Sequence, residues 1–415
     1  MVLGLSAFST WSPIPGGITA PEGFQASGIR AGLKPSENLD LALLLAPEGA
    51  VCGAIFTKSI IRAACIDLCI ERLQLIKGSQ RAVLINSGQA NACTGNRGRI
   101  DSLKATKAVA DNLGLRSEEI LICSTGVIGV PIPIDSLLRS VNPLAQHLSE
   151  SGGSSAAEAI LTTDLVTKEI SYEANLGGRI VRIGGMAKGS GMIHPDMATM
   201  LAFLSCDAAI PQSIWQMMIQ KSADCSFNCI SVDGDTSTND SFIAFSAGEP
   251  LEPNYWDQLQ VGLNLVTQYL AKAIARDGEG ASCLIEVKVE GTLNEFDARK
   301  IARTISSSSL VKTAIHGCDP NWGRIIAAAG RSGVDFEPQN ISLSLGPYKL
   351  IQNGEPIAFD RKILSEYIKH QKESKPSLED SVEINLKVGS GLGKGLAWGC
   401  DLSSEYIHIN ADYTT

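Results

Sequence analysis

The segment GGMAKGSGMIHPDMATMLAFLSCDA (184–208) decides how this sequence is interpreted. A loop rich in Gly and Met ends at Ala198 and Thr199, and TMLAFLSCDA (199–208) follows as a continuous apolar run typical of a buried strand. The simplest interpretation is a loop before a core strand, in which Thr199 is only a β-forming residue. The chemical interpretation is an N-terminal threonine nucleophile, because a free α-amine on Thr199 can serve as the base that its hydroxyl needs. That amine exists only if the bond after Ala198 is cut.

The sequence lacks the other familiar catalytic motifs. VGSGLGKGLAWG (388–399) is rich in glycine, but it does not fit G-x-G-x-x-G, and no Ser or Thr follows Lys394 as a phosphate-binding loop requires. No G-x-S-x-G or H-E-x-x-H motif occurs. Of the five His residues, only His194 lies among other candidate residues, which disfavours a His-based triad.

Composition narrows the class of ligand. The chain has 415 residues, 44% of them hydrophobic, and a net charge of −9, which disfavours a nucleic acid or an anionic membrane as partner. No apolar run approaches the roughly 20 residues needed to span a bilayer, and no secretory signal opens the chain. The expected ligand is therefore a small solute.

The eleven Cys residues are scattered, without a CxxC pair or a Cys/His ladder of zinc spacing. We expect small buried hydrophobic side chains, no metal site, and a reducing, cytoplasmic location. Cys65 and Cys69, like Cys225 and Cys229, have the i, i+4 spacing that places two residues on one face if the segment is helical.

Strand-like and helical patterns alternate along the chain, which predicts a layered α/β fold with helices packed over mixed sheets. KEISYEANLGGRIVRIGG (168–185) reads as a hairpin around Asn-Leu-Gly-Gly. The residues of EYIHIN, near the end, suggest a strand that ties the tail into a sheet. The other main expectations are neighbouring strands at 41–47 and 50–57, strands at 81–88, 118–129, 199–208 and 241–248, and helices at 99–115, 133–148, 210–225, 255–278 and 361–371.

Seven short motifs lie elsewhere in the chain. They are NSGQANACTG (86–95), CSTGVIG (123–129), TTD (162–164), DTSTND (235–240), DGEGA (277–281), DPNWGRI (319–325) and NADYTT (410–415). In this order, around the Ala198–Thr199 junction, they resemble the ornithine acetyltransferase (ArgJ) family over nearly the whole chain. One departure is Gln89, where the family pattern predicts Asn.

The resemblance implies a role for each matching residue. Thr199 would be the nucleophile and the Ala198–Thr199 bond the site of self-cleavage. Thr125 and Gly126 would form the oxyanion hole, which suits a Gly-containing turn after an apolar strand; on sequence alone, an ordinary strand-to-helix turn stays open. The implied substrate contacts are Thr162, Thr163, Lys188, Thr199, Glu279, Asn410 and Thr415. Without the resemblance, Lys188 reads as a surface residue and Glu279 as a solvated loop carboxylate.

The resemblance also implies the fold and assembly. It predicts a layered αββα-like sandwich of the ArgJ/DmpA-like type, cut into an α chain (1–198) and a β chain (199–415) that share one core. The family typically assembles as a heterotetramer of two α and two β chains. No cofactor is implied, although some members accept acetyl-CoA as an acetyl donor, a question that the sequence leaves open.

The implied reaction moves an acetyl group from N2-acetyl-L-ornithine to L-glutamate by ping-pong chemistry through acetyl-Thr199, in arginine biosynthesis. Two other functions remain compatible with the sequence. One is an N-terminal-nucleophile amidohydrolase or aminopeptidase, in which water accepts the acyl group from the same threonine. The other is an uncleaved, non-catalytic binding protein for small amino acids.

Overall fold

The computed structural model describes residues 10–194, 200–373 and 378–412. Ala198, Thr199 and Thr415 therefore lie outside the described residues. The strands are β1 Ser12–Ile14, β2 Gln25–Ile29, β3 Leu41–Leu45, β4 Val51–Phe56, β5 Ala82–Gln89, β6 Ile120–Val127, β7 Lys168–Leu176, β8 Arg179–Lys188, β9 Leu201–Ala209, β10 Ile230–Ser231, β11 Ser241–Pro250, β12 Leu284–Thr292, β13 Ser342–Leu345, β14 Tyr348–Gln352, β15 Glu355–Pro356, β16 Ser381–Lys387 and β17 Gly393–Cys400. The helices are α1 Ala64–Ile76, α2 Gly95–Leu113, α3 Ile134–Gln146, α4 Gly153–Ala159, α5 Gln212–Asp224, α6 Trp256–Arg276, α7 Glu295–Ser306, α8 Ser309–His316, α9 Trp322–Gly330, α10 Arg361–Glu373 and α11 Ser404–Ala411.

The strands of the described residues form three sheets. A four-stranded sheet has the order β2-β3-β5-β6, and a six-stranded sheet has the order β1-β7-β8-β9-β11-β4. A seven-stranded sheet, β10-β17-β12-β16-β13-β14-β15, is built from the last part of the chain and is covered by α7. The sheets mix parallel and antiparallel pairs: β5 and β6 are parallel, whereas β8 and β9 are antiparallel.

The first two sheets pack face to face between layers of helices. Along β9, Leu201 and Phe203 belong to the core shared with the four-stranded sheet. The alternate residues Ala202 and Leu204 belong to the core beneath α5 and α6. Because successive strand residues point to opposite faces, β9 separates the two cores. Helices α1 to α3 cover the four-stranded sheet, so the predicted αββα-like layering is confirmed.

The six-stranded sheet contains strands from both sides of the Ala198–Thr199 junction. β8 precedes the junction and β9 follows it, and the two pair from Ile183 with Cys206 to Lys188 with Leu201. β4, from early in the chain, pairs with β11, from late in the chain. Hydrogen-bonded strand pairs therefore join the segments before and after the junction.

Most sequence-based elements are confirmed, including the hairpin of β7 and β8 and the long helix α6. The strands expected at 41–47 and 50–57 are present but are not neighbours in a sheet, because β3 pairs with β2 and β5, whereas β4 lies at the edge of the six-stranded sheet. The strand predicted at EYIHIN is also wrong. Ser403 caps a helix there, with its side chain accepting a hydrogen bond from the Tyr406 backbone N–H, and this capping outweighs the short alternating pattern.

The cysteines have no disulfide partners, and eight of the eleven are buried, which confirms the prediction of small core side chains for most of them. Cys65 and Cys69 both lie in α1. Cys225 is the C-cap of α5 and Cys229 lies in a following 3-10 turn, so that pair does not share a helix face. In the described ranges, no helix combines the length and the apolar character needed to cross a membrane.

Candidate active site

A cavity of about 250 Å³ collects residues that are distant in sequence. Seven of the residues assigned by resemblance line it: Thr125, Gly126, Thr162, Thr163, Lys188, Glu279 and Asn410. They come from the end of β6, the segment after α4, the end of β8, the loop after α6, and α11. The remaining predicted positions, Ala198, Thr199 and Thr415, lie outside the described residues.

The turn at Thr125 and Gly126 requires a glycine at position 126. Gly126 has a φ of +126°, and a Cβ there would lie 2.3 Å from the carbonyl carbon of Gly88 on β5. Both the dihedral angle and the close approach therefore exclude other residues. The preceding Thr125 is only 6% exposed, and its hydroxyl has no hydrogen-bond partner in the described part of the chain. A donor held at the cavity wall without an internal acceptor can serve an external oxyanion.

Lys188 is buried, so its interpretation as a surface residue is wrong. Its side chain is 4% exposed, its Nζ donates to Thr162 Oγ1 over 2.7 Å, and it lies 3.6 Å from Asp164 Oδ2. The Asp164 side chain is fully buried and also pairs with Lys168 at 2.7 Å. Lys168 in turn contacts Asp277 at 2.6 Å. Two lysines and two aspartates thus form one buried network at the cavity wall.

Backbone N–H groups also donate hydrogen bonds to the Asp164 carboxylate. Its Oδ1 accepts from the Gly189 N–H at 2.6 Å, and its Oδ2 accepts from the Thr162 N–H at 3.1 Å. Burial favours a raised pKa for this carboxyl, but the ammonium groups of Lys188 and Lys168 outweigh burial and hold the pKa of Asp164 well below its usual value. Burial lowers the pKa of Lys188, and Asp164 opposes that effect. Asp164 is therefore the carboxylate that favours the charged form of Lys188 beside the cavity.

Glu279 and Asn410 form an acidic part of the lining. Asn410 Nδ2 donates to Glu279 Oε2 over 2.9 Å, which orients the carboxylate. The Glu279 backbone N–H donates to the Ser190 carbonyl, also at 2.9 Å. A Cβ on Gly191 would lie 2.5 Å from the Glu279 carboxyl group, so the glycine allows this close packing. Glu279 is 8% exposed, and the interpretation as a solvated loop carboxylate is wrong.

Two aspartates hold the described residues on either side of the predicted cleavage bond. Asp233 accepts from the backbone N–H groups of Met192, at 2.5 Å, and Ile193, at 3.0 Å. Asp240 Oδ1 accepts from the Met200 N–H at 3.1 Å. The other oxygen of Asp240 is buried without a hydrogen-bond partner among the described residues. Burial raises the pKa of Asp240 well above its usual value.

The motifs TTD and DTSTND contain Asp164, Asn239 and Asp240, for which the sequence alone predicts no role. Asn239 lines the cavity and is 5% exposed. Asn and Asp in a loop-like motif are ordinary turn residues, so only their burial and partners distinguish them. Gln89, the departure from the family pattern, is buried and donates through Nε2 to the Leu33 carbonyl at 2.7 Å.

The arrangement offers a cation, a carboxylate and the Thr125 hydroxyl around one small cavity. A cation and a carboxylate at separate positions suit a zwitterionic amino acid. Donors near a glycine turn suit a carbonyl oxygen that gains negative charge. In the ranges that the structure describes, no three His, Cys, Asp or Glu side chains cluster as metal ligands would.

Comparison with known proteins extends these observations. The sequence matches the family model described as "ArgJ family" over residues 25–415. It is 61% identical over 407 residues to the arginine biosynthesis bifunctional protein ArgJ of Prochlorococcus marinus strain MIT 9313, covering 98% of this chain and 95% of that protein. It is also 61% identical over 413 residues to the protein of the same name from Parasynechococcus marenigrum strain WH8102, covering 100% of this chain and 99% of that protein.

Among solved structures, similarity extends to the crystal structure of the arginine biosynthesis bifunctional protein argJ from Bacillus halodurans. The identity is 41%, the match covers 50% of this chain and 97% of that chain, and the TM-score is 0.47.

Proposed function

The chain belongs to the ArgJ family, and on that premise we propose that it moves an acetyl group from N2-acetyl-L-ornithine to L-glutamate in arginine biosynthesis. The observation that carries the proposal is the cavity of about 250 Å³. Its wall includes Lys188, Glu279 and the Thr125–Gly126 turn, which together offer a partner for each polar group of an N-acetylated diamino acid.

The charged residues suggest how the substrate binds. The Lys188 ammonium lies 3.6 Å from Asp164, which neutralises part of its charge. Asp164 also pairs with Lys168, so the two lysines share this carboxylate. The network of Lys188, Lys168, Asp164 and Asp277 is formally neutral, so a substrate carboxylate would be attracted by the Lys188 ammonium as a local point charge. The side-chain ammonium of ornithine is the natural partner of Glu279, which Asn410 orients. Glutamate lacks that ammonium, so Glu279 is expected to favour the ornithine substrate.

The proposed chemistry has two halves. In the first, Thr199 Oγ attacks the acetyl carbonyl carbon while the Thr199 α-amine takes the hydroxyl proton, and Thr125 and Gly126 stabilise the oxyanion. The C–N bond then breaks, the leaving amine receives the proton, and ornithine departs from an acetyl ester of Thr199. In the second half, the amine of glutamate attacks this ester, the C–O bond breaks, and the proton returns to Thr199 Oγ. Nothing is oxidised or reduced.

We propose that self-cleavage between Ala198 and Thr199 generates the free amine. The Thr199 hydroxyl would attack the Ala198 carbonyl, move the acyl chain from nitrogen to oxygen, and release it to water. Attack on an adjacent bond is intramolecular, so proximity replaces an external protease. The pairing of β8 with β9 supports an association of the resulting chains 1–198 and 199–415 after cleavage. We also propose that Thr415 contacts the substrate.

Hydrolysis is the competing reaction, because water could also accept the acetyl group from Thr199. Membership of the ArgJ family favours transfer over the amidohydrolase or aminopeptidase alternative. The test is to incubate purified protein with acetylornithine, with and without glutamate, and to quantify acetylglutamate and free acetate. Acetylglutamate in excess of acetate supports the proposal, whereas acetate formed equally well without glutamate contradicts it.

Three finer points are proposals of the same kind. The curated relatives are named bifunctional, and we propose acetyl-CoA as a second donor, so that labelled acetyl-CoA and glutamate alone should give labelled acetylglutamate. We propose a cytoplasmic location, because eleven free cysteines suit a reducing compartment. We propose an assembly of two α and two β chains, which light scattering of the purified protein tests.

A further inference from the structure

Asn239 connects two chain segments at the cavity. Its Nδ2 donates to the Ala90 carbonyl at 2.5 Å and to the Ser124 carbonyl at 2.8 Å. Its Oδ1 accepts from the Thr238 hydroxyl at 2.5 Å. Both amide hydrogens and the amide oxygen are thus occupied within the protein, which leaves little capacity for direct substrate binding although the side chain lines the cavity.

The two carbonyls held by Asn239 belong to the structure that presents Thr125. Ser124 is the residue immediately before Thr125 in β6. Ala90 follows β5, and its N–H donates to the Val127 carbonyl at 2.9 Å, just beyond the turn. Asn239 therefore connects both segments that frame the Thr125–Gly126 turn to the start of β11.

Asp240, the next residue, holds the chain immediately after Thr199. Its Oδ1 accepts from the Met200 N–H at 3.1 Å, and the N–H of Ser241 donates to the Met200 carbonyl at 3.1 Å. Asp240 is itself fixed by its carbonyl, which accepts from the Thr57 N–H at 3.0 Å. Asp240 is 1% exposed. Met200 is thus held through both of its backbone polar groups, and it is covalently bonded to Thr199.

We propose that Asn239 and Asp240 act as a two-residue clamp that sets the separation between the Thr125–Gly126 turn and the nucleophile. The Cα atoms of consecutive residues lie about 3.8 Å apart across a trans peptide. The side chains that hold the turn and Met200 therefore extend from adjoining residues, Asn239 and Asp240, that share one peptide unit. Asn239 and Asp240 are positioning residues in this proposal, and each would act through the backbone groups that it holds rather than on the reacting atoms. The inference rests on the proposed acetyl transfer.

Positioning predicts a kinetic signature that differs from substrate binding. A misplacement of about 1 Å between reacting groups can lower a rate about 10²-fold, because transition-state geometry is more demanding than ground-state binding. Loss of the clamp should therefore lower kcat and leave KM nearly unchanged. A residue that bound substrate directly would instead raise KM.

The experiment compares steady-state kinetics of acetylornithine-to-glutamate transfer for the wild type, four single variants and one double variant. Asn239→Asp keeps the shape but loses both donations to Ala90 and Ser124. Asp240→Ala removes the acceptor for the Met200 N–H, whereas Asp240→Asn retains an acceptor oxygen. Asn91→Asp is the matched control: Asn91 adjoins Ala90 and is also buried, but its side-chain amide donates to Gly98 and Ser102 in the α2 region rather than to the carbonyls that Asn239 holds. Melting temperatures show how much each change affects folding.

We expect kcat to fall about 10- to 100-fold for Asn239→Asp and for Asp240→Ala. KM should stay within about twofold of the wild-type value, because neither change removes a substrate contact. Asp240→Asn should recover most of the activity, and Asn91→Asp should keep kcat near wild type even if its melting temperature falls. For the double variant Asn239→Asp/Asp240→Ala, the fold-decrease in kcat should be smaller than the product of the two single fold-decreases. Both changes disturb the same distance, that between the Thr125–Gly126 turn and the nucleophile.

Three results would overturn the clamp. They are a kcat for Asn239→Asp no lower than that of Asn91→Asp, a loss expressed mainly in KM, or an Asp240→Asn variant as inactive as Asp240→Ala. A wild-type protein without transferase activity would instead contradict the proposed function, so the two failures are distinguishable.

Discussion

Replacing Asp164 by Asn should destabilise the protein strongly. The Asp164 carboxylate is fully buried between Lys168 Nζ at 2.7 Å and Lys188 Nζ at 3.6 Å. Removing one partner of a buried pair leaves an uncompensated charge, which typically costs about 3–5 kcal/mol. The unfolding entropy of a chain of 415 residues is about 0.9 kcal/mol per degree at about 2.1 cal/mol/K per residue. The expected decrease in melting temperature is therefore about 3–6 °C.

An exposed pair provides the matched control for this substitution. Lys107 and Asp111 also contact each other, at 2.9 Å, but both side chains are more than 60% exposed. Asp111→Asn should change stability by only about 0.3–0.5 kcal/mol, since exposed i, i+4 pairs contribute little. Differential scanning calorimetry at pH 7 measures both variants. An Asp164→Asn shift no larger than that of Asp111→Asn would refute the interpretation of the buried network.

The stabilisation contributed by the Asp164 carboxylate should depend on pH. The lysines hold the pKa of Asp164 below its usual value, so the carboxyl stabilises the fold fully above the unfolded-state pKa of about 3.9. That stabilisation is lost as the pH falls through the lower, folded-state pKa. The difference in stability between wild type and Asp164→Asn should therefore be full at pH 7 and shrink only below about pH 4.

The remaining predictions concern single side chains at or beside the cavity. Thr125→Ala should lower kcat about 10²–10³-fold, or about 2.7–4 kcal/mol, if its hydroxyl stabilises the oxyanion; a change below about threefold in steady-state assays would remove it from that role. Glu279→Gln should raise KM for acetylornithine, and an unchanged kcat/KM would argue against contact with substrate. Asp240→Asn should become more stable relative to wild type as the pH rises above about 4, since burial raises the pKa of Asp240 and ionisation then opposes folding; melting curves from pH 4 to 8 that stay parallel would contradict this. Thr199→Ala should remain one uncut, inactive chain on a denaturing gel, while Thr199→Ser should still be cut and retain some transfer.

The sequence predicted the layered fold well because its elements carry strong local patterns. The apolar run of β9 and the Gly-Gly turn between β7 and β8 leave few alternatives. Strand partnership was harder, since β4 pairs with β11, almost 190 residues later in the chain. The final helix was missed because a Ser cap and a short alternating pattern compete within the same few residues.

The candidate site was predictable only in part. The family motifs identified Lys188 and Glu279 but gave no indication that both are buried. Burial depends on distant partners: Asp164 beside Lys188, and Asn410 beside Glu279. The role proposed for Asn239 depends on two backbone carbonyls, which no sequence pattern reports.

The central claim is that Thr199 becomes an N-terminus and carries the acetyl group. The direct measurement is mass spectrometry of the purified protein, quenched after mixing with acetylornithine in the absence of glutamate. We predict two chains, the second beginning at Thr199 and heavier by one acetyl group on that residue, with the added mass lost once glutamate is supplied. An uncut chain of 415 residues that still transfers acetyl, or an acetyl group on a residue other than Thr199, would contradict the account.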